Sequence, residues 1–243
     1  MKKKQVFLFQ GDSITDGGRH YDGDPNHILG HGFVYQVSSF LRATCPESVP
    51  CFYNRGVSGH TSSQLVERWQ KDALDIDPDV LTLLIGINDL LALYLEDGSE
   101  NLDYHPALEK YQQNLEYMLQ SSLNRNPDLK ILLGIPFYYA IDGWDTSIHV
   151  SQDEAEKEFT LNFRKTVAQR RRTQILKAIP EFAAAAREFV RKYNAVELDF
   201  SAVFDAALTK APLEYWIWDG VHPTYAGNYL MSQLWLEKAA PFL

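Results

Sequence analysis

Four short clusters in this sequence carry residue types that suit acyl transfer. They are Gly11-Asp12-Ser13, Gly56 after Asn54-Arg55, Gly86-Ile87-Asn88-Asp89, and Trp218-Asp219-Gly220-Val221-His222-Pro223. Acyl transfer by a hydroxyl needs a nucleophile, a base for its proton, a group that orients the base, and donors aimed at the oxygen that gains charge. Ser13 offers the hydroxyl and, near a helix start or tight turn, its own backbone N–H. Gly56 presents an N–H with no side chain in the way, and Asn88 an amide N–H. His222 is the candidate base and Asp219 its orienter.

Taken singly, each cluster has an ordinary explanation. A serine after a strand commonly caps or turns, and Gly86-x-Asn88-Asp89 can simply open a helix. Asp-x-x-His is a weak pattern that occurs twice, at Asp219…His222 and at Asp24…His27. Both copies fall on the expected active rim. Asp219…His222 has the better geometry, because it leads into a helix from a separate strand end.

The elements that must position these residues follow from hydrophobic patterning. Val6–Gln10, Cys51–Asn54, Val80–Ile85, Ile131–Ile135 and Ala195–Asp199 read as short buried strands. Amphipathic helical patterns lie at Phe33–Arg42, Ser62–Leu74, Tyr104–Asn124, Gln169–Tyr193 and Thr224–Ala239. Buried strands alternating with helices predict one domain over 1–243, a doubly wound, five-stranded parallel sheet in a three-layer α/β/α sandwich. Ligands of such sheets bind beyond the carboxyl ends of the strands, where all four clusters lie. Two connections exceed a plain turn: Gly11 to Gly32, and Phe137 to about Lys157. Long loops of this kind tend to be functional.

Composition removes several alternatives. The 243 residues include 45% hydrophobic and 13% aromatic residues, enough for a sizeable core. The net charge of −9 argues against nucleic acid and against an anionic membrane surface. No apolar run approaches a spanning helix and the start lacks a leader pattern, so a soluble, cytoplasmic protein is expected. Cys45 and Cys51 form no metal or disulfide framework and read as reduced packing residues. Gly-x-Gly-x-x-Gly, Walker A, Gly-x-Ser-x-Gly and His-Glu-x-x-His are all absent. No cofactor and no catalytic metal are expected.

The set Gly11-Asp12-Ser13-Ile14, Gly56, Gly86-Ile87-Asn88-Asp89 and Asp219-Gly220-Val221-His222-Pro223 resembles the SGNH, or GDSL-type, hydrolase superfamily, with its blocks in the family's order. The resemblance implies a nucleophile on Ser13, oxyanion donors on Ser13, Gly56 and Asn88, a base on His222 and its acidic partner on Asp219. It also implies a flavodoxin-like sheet. "GDSITDGGR", "LGHGFV", "NRGVSGHTSSQLVERWQKD", "LLIGINDL" and "WDGVHPT" are similar to the branch that includes bacterial intracellular acetylxylan esterases. That likeness implies deacetylation of carbohydrates such as xylo-oligosaccharides, and a homo-oligomer. Lysophospholipases, general carboxylesterases and thioesterases share the machinery and remain alternatives, as does a binding module with degenerate catalysis. Asp12, Arg19, His60 and Trp218 are candidate substrate-binding residues. Asp16 is expected beside Arg19 at the acyl pocket, and Trp144, Trp216, Tyr138 and Tyr139 beside Trp218 in a sugar-stacking wall.

Overall fold

A computed structural model describes residues 4–96, 102–141 and 171–243. Trp144 and most of the second long connection fall outside them. Within these limits the sheet has five parallel strands in the order β2-β1-β3-β4-β5. They are β1 (Val6–Gly11), β2 (Cys51–Asn54), β3 (Val80–Leu84), β4 (Lys130–Gly134) and β5 (Val196–Leu198). Register is fixed by pairs such as Phe7 with Phe52, Leu8 with Leu81, Leu83 with Leu133, and Leu133 with Glu197. This is the expected doubly wound topology, and its strand order reverses between β1 and β3, where such folds open a crevice.

The inner strands β1, β3 and β4 are mostly apolar rather than alternating because both faces of the sheet are covered there. Phe7, Leu8, Phe9, Leu81 and Leu83 are fully buried. Helices α2 (Phe33–Thr44) and α8 (Tyr225–Ala239) pack on one another, as do α3 (Ser62–Trp69) and α5 (His105–Arg125). Each large indole in the core finds a polar partner, as buried N–H groups must. Trp235 lies 5.4 Å from the Phe9 ring and donates to Thr82 Oγ1 at 2.8 Å, while Trp69 donates to Ser122 Oγ at 3.2 Å.

Three helices escape the apolar pattern: α1 (Ser13–Asp16), α4 (Ile87–Glu96) and α7 (Phe200–Ala207). One is only four residues long and the others follow a strand with almost no linker, so periodicity has little sequence in which to register. The helix expected over Ser62–Leu74 is α-helical only to Trp69 and continues as a π-helical turn, Gln70–Leu74. A capping box between Thr61 and Gln64 starts it. Among the described part of the pattern at 169–193, α6 runs over Arg172–Lys192. The cysteines need correcting: Cys45 and Cys51 are free and both exposed, one closing α2 and the other opening the edge strand β2. They are not packing residues.

Candidate active site

Ser13 is the first residue of α1, directly beyond β1. Asp12 caps that helix, its Oδ1 accepting from Ile14 N at 3.0 Å. From the other end of the chain comes a tight reversal between Ile217 and Pro223, closed by Trp218 N–H donating to His222 O at 2.7 Å. Asp219 shapes this turn, since its Oδ1 accepts from Val221 N at 3.0 Å and His222 N at 2.8 Å. The same carboxylate meets His222 Nδ1 at 3.0 Å through Oδ2, and His222 Nε2 lies 2.7 Å from Ser13 Oγ. A hydroxyl, an imidazole and a carboxylate thus form one continuous chain across 209 residues of sequence separation.

The electrostatics suit proton transfer. Burial favours the neutral carboxyl of Asp219, but the hydrogen bonds from His222 and the charge on its ring hold it below the usual carboxylate range. Burial likewise opposes a charge on His222, and Asp219, with help from Asp12, outweighs it and lifts the imidazole above its ordinary value. The His222 side chain is 30% exposed and the Asp219 side chain 3%, so the imidazole is partly open while its carboxylate partner is sealed from water. The second Asp-x-x-His copy does not reach Ser13. His27 Nδ1 sits 2.7 Å from Asp24 Oδ2, and its ring stacks on His20 with centroids 4.7 Å apart.

The expected oxyanion donor at Gly56 requires correction. Its N–H is already donated to Asn54 Oδ1 at 2.9 Å, in a buried position. Gly56 is glycine for a steric reason, because a Cβ there would stand 2.3 Å from Asp16 N. Asn54 is the clamp behind this packing, with Nδ2 donating to the carbonyls of Thr15, Asp16 and Leu29. Three residues further on, Gly59 has φ +80°, open space around its α-carbon and no acceptor for its N–H among the described residues. The turn carrying it is held from both sides. Ser58 N and Oγ donate to Asp16 Oδ2 at 3.1 and 2.6 Å, and Asn88 Nδ2 donates to His60 O at 3.1 Å. Gly59 therefore sits between α1, which carries Ser13, and Asn88. The second glycine in Gly-Val-Ser-Gly-His was the available signal, a tip residue needing positive φ.

Asp89, which closes the third cluster, has a role that the sequence does not reveal. Its carboxylate accepts from Ser62 N at 3.0 Å and Ser62 Oγ at 2.5 Å, pinning the start of α3 to that of α4 and so fixing Asn88 against the 57–60 turn. Burial raises its carboxyl to about 6.

The substrate-binding candidates separate. Asp12 is fully buried and cannot touch a substrate; that expectation is wrong. Its Oδ2 has no hydrogen-bond partner among the described residues, and burial pushes the carboxyl up to about 7 against the pull of the Ile14 N–H and of His222. The Arg19 side chain is only 8% exposed. Its Nε donates to Gly56 O at 2.9 Å, and it lies 3.6 Å from Asp16 Oδ1 and 4.0 Å over the Tyr21 ring, so it braces the loop rather than contacting a ligand. His60 and Trp218 are half-buried next to site residues, as cleft contacts would be. His60 Nδ1 faces Arg68 Nε at 3.3 Å, and burial together with that charge keeps the imidazole below its ordinary pKa. Of the aromatic wall, Trp216 and Tyr138 are buried packing residues, with Trp216 Nε1 donating to Ala211 O. Tyr139 directs its hydroxyl to Ser201 O and Asp205, away from a sugar.

Comparison with known proteins gives the chain a family. Residues 9–230 match the model of the GDSL-like lipase/acylhydrolase family. The chain belongs to that family. It is 32% identical over 237 residues to an acetylxylan esterase from Geobacillus stearothermophilus, covering 96% of this chain and 93% of that protein. The solved structure of the acetylxylan esterase Axe2 from the same organism superposes with a TM-score of 0.73 at 26% identity, over 98% of this chain and 96% of the other. Two further Axe2 structures are catalytic mutants, one with an aspartate and one with a serine replaced by alanine. A candidate GDSL-like lipase from Parabacteroides merdae superposes with a TM-score of 0.74 at 32% identity, over 99% and 97% of the two chains. As a GDSL acylhydrolase the protein is a carboxylic ester hydrolase. Among the described residues no helix is long and apolar enough to cross a membrane.

Proposed function

We propose that the protein is a serine esterase that removes small acyl groups, acetyl above all, from carbohydrate hydroxyls such as those of xylo-oligosaccharides. The observation that carries the chemistry is the 2.7 Å contact between Ser13 Oγ and His222 Nε2, with Asp219 on the opposite ring nitrogen. The acetyl-sugar choice is supported by the acetylxylan esterase relatives over nearly the whole chain.

In the first half-reaction His222 Nε2 takes the proton of Ser13 as Oγ bonds to the ester carbonyl carbon. The carbonyl oxygen becomes an oxyanion facing the N–H of Ser13, the N–H of Gly59 and the Asn88 amide. Collapse of this intermediate breaks the bond to the sugar oxygen, which leaves with the proton from His222. Water then repeats the sequence: His222 takes its proton, the hydroxide oxygen attacks the acyl carbon, and Ser13 departs reprotonated with release of acetate. Asp219 keeps the Nδ1–H tautomer and stabilises the imidazolium formed twice per turnover. Each oxyanion donor of this kind is worth about 3 kcal/mol in the transition state. No step draws on a metal or organic cofactor. The same reading takes residues 1–243 as one domain acting in the cytoplasm as a homo-oligomer, which light scattering of the purified protein checks.

Acetate release from acetylated xylo-oligosaccharides, run beside p-nitrophenyl acetate and p-nitrophenyl octanoate, tests the substrate. Acetate release from the sugars together with preference for the acetyl ester is expected. Preference for octanoate, or release of fatty acid from a lysophospholipid, would replace the acetyl-sugar reading with the lysophospholipase one on the same residues.

A further inference from the structure

The long loop between α1 and α2 holds a group of side chains with no part in the acyl-transfer chain. His20, Asp24 and His27 each bring one donor atom to a common point, all within 4.8 Å of one another. The two imidazoles lie face to face, their centroids 4.7 Å apart and their planes 28° from parallel. Asp24 divides its two oxygens between separate tasks. Oδ1 accepts from the backbone and side chain of Asn26 at 2.9 and 3.0 Å and shapes the loop, while Oδ2 is turned to His27 Nδ1 at 2.7 Å. The backbone fixes the spacing: His20 N donates to His27 O, and His27 N and Ile28 N both donate to Asp24 O, each at 3.0 Å. Asp22 stands alongside, its Oδ2 3.9 Å from His20 Nδ1.

We infer that His20, Asp24 and His27 form a binding site for a late first-row divalent cation such as zinc, separate from the ester-hydrolysing residues. The donor set argues for that class. Two imidazole nitrogens and one carboxylate oxygen suit zinc, cobalt and nickel, whereas calcium and magnesium require shells made of oxygen. Two stacked imidazoles beside two carboxylates are poorly explained as surface pairing alone, since one carboxylate already satisfies one ring nitrogen. Bonds of about 2.0–2.2 Å to zinc place tetrahedral ligands about 3.3 Å apart. The 2.7 Å and 4.8 Å limits of the cluster bracket that value, and His20 and His27 are about half exposed, with side chains free to close the gap. The cation takes the place of the hydrogen between His27 Nδ1 and Asp24 Oδ2, and the neutral imidazole then carries its proton on Nε2. Asp22 and water complete the shell. Arg19 is the nearest guanidinium in sequence and does not compete, because it is turned to Gly56 O and Asp16.

Titration of the purified full chain with Co²⁺, followed by its visible absorption, and with Zn²⁺, followed by calorimetry, tests the site. One equivalent should bind with micromolar affinity or better. His20→Ala and His27→Ala should each abolish binding at micromolar protein, and Asp24→Asn should weaken it roughly 10- to 100-fold. Since Asp24 also shapes the loop, the two histidine variants decide the matter. His105 serves as the control: it pairs with Asp103 at 2.6 Å on the surface but lacks a second imidazole, and His105→Ala should bind as the unaltered protein does. Failure of the unaltered protein to bind Co²⁺ or Zn²⁺ overturns the inference, as does undiminished binding in the double variant His20→Ala/His27→Ala.

Discussion

Asp219–His222 and Asp24–His27 are the same three-residue step of sequence folded to nearly the same local contact. Carboxylate and Nδ1 are 3.0 Å apart in one and 2.7 Å in the other. The shorter pair is the one that does not meet Ser13. What differs is what surrounds each pair and what the second ring nitrogen meets. Asp219 is sealed at 3% exposure and held by two backbone N–H groups, and His222 presents Nε2 to Ser13. Asp24 is 35% exposed and His27 56%, with a second imidazole stacked on it. A His–Asp contact is therefore a local motif, and tertiary context decides its use. Burial and the contact with Ser13 suit one to the part of an oriented base; exposure and a neighbouring imidazole suit the other to a cation.

The largest effect separating the two pairs is on turnover. His222→Ala should lower kcat on p-nitrophenyl acetate by roughly 10³-fold or more, whereas His27→Ala, assayed with chelator present, should change it less than about twofold. The reverse order would exchange their roles.

Asp219→Asn should cost roughly 10²- to 10⁴-fold, and its pH profile sharpens the contrast. Because His222 is raised above its ordinary value and must be neutral to accept the serine proton, kcat/KM should climb as pH rises through that raised pKa. Removing the Asp219 charge lowers the His222 pKa, so the acid limb should move to lower pH. Asp24→Asn should leave the limb in place.

Asn88→Ala should lower kcat about 10²- to 10³-fold with little change in KM. The two glycines of the neighbouring loop should both lose stability on substitution, for different reasons. Gly56→Ala drives a Cβ into Asp16 N and should destabilise the protein by roughly 1–3 kcal/mol in urea melts. Gly59→Ala meets open space and should cost only the strain of its positive φ, about 1–2 kcal/mol.

The last contrast concerns Asp12. A carboxyl raised from 3.8 to about 7 holds its proton more tightly in the folded state, so its contribution to stability is fully present below about pH 3.8 and is lost as pH rises toward 7. Asp219, which is lowered, has the opposite sign and loses its contribution as pH falls. Asp12→Asn should narrow the difference in unfolding free energy between pH 5 and pH 8, leaving a residual slope from Asp89, raised to about 6, and His222.

The sheet was legible because its inner strands, covered on both faces, leave apolar runs, and three of the four polar clusters stand at the carboxyl ends of β1, β2 and β3; the fourth, at 218–223, follows the 3₁₀ turn Leu213–Tyr215 rather than the strand end expected of it. The structure brings Ser13, Asp219 and His222 together from their separate clusters and sets Asn88 against the 57–60 turn. Gly56 misled because sequence shows a glycine but not where its N–H points, and Asn54 had already engaged it. Asp12 and Arg19 misled in a related way. Adjacency to the nucleophile suggested contact with substrate, yet one is a buried cap and the other a brace between Gly56 and Asp16. Asp89 and Asn54 were invisible as organisers because their roles are hydrogen bonds across elements, which leave no periodic trace. The helices α1, α4 and α7 were lost to shortness and abrupt starts.

The nucleophile itself can be read directly by treating the protein with a small alkyl fluorophosphonate and mapping the adduct by mass spectrometry. A single adduct on Ser13, formed at an undiminished rate in His27→Ala and slowed at least a hundredfold in His222→Ala, is the expected result. Phosphonylation of any other residue with loss of activity, or full activity after Ser13→Ala, would contradict Ser13 as the nucleophile and His222 as its base.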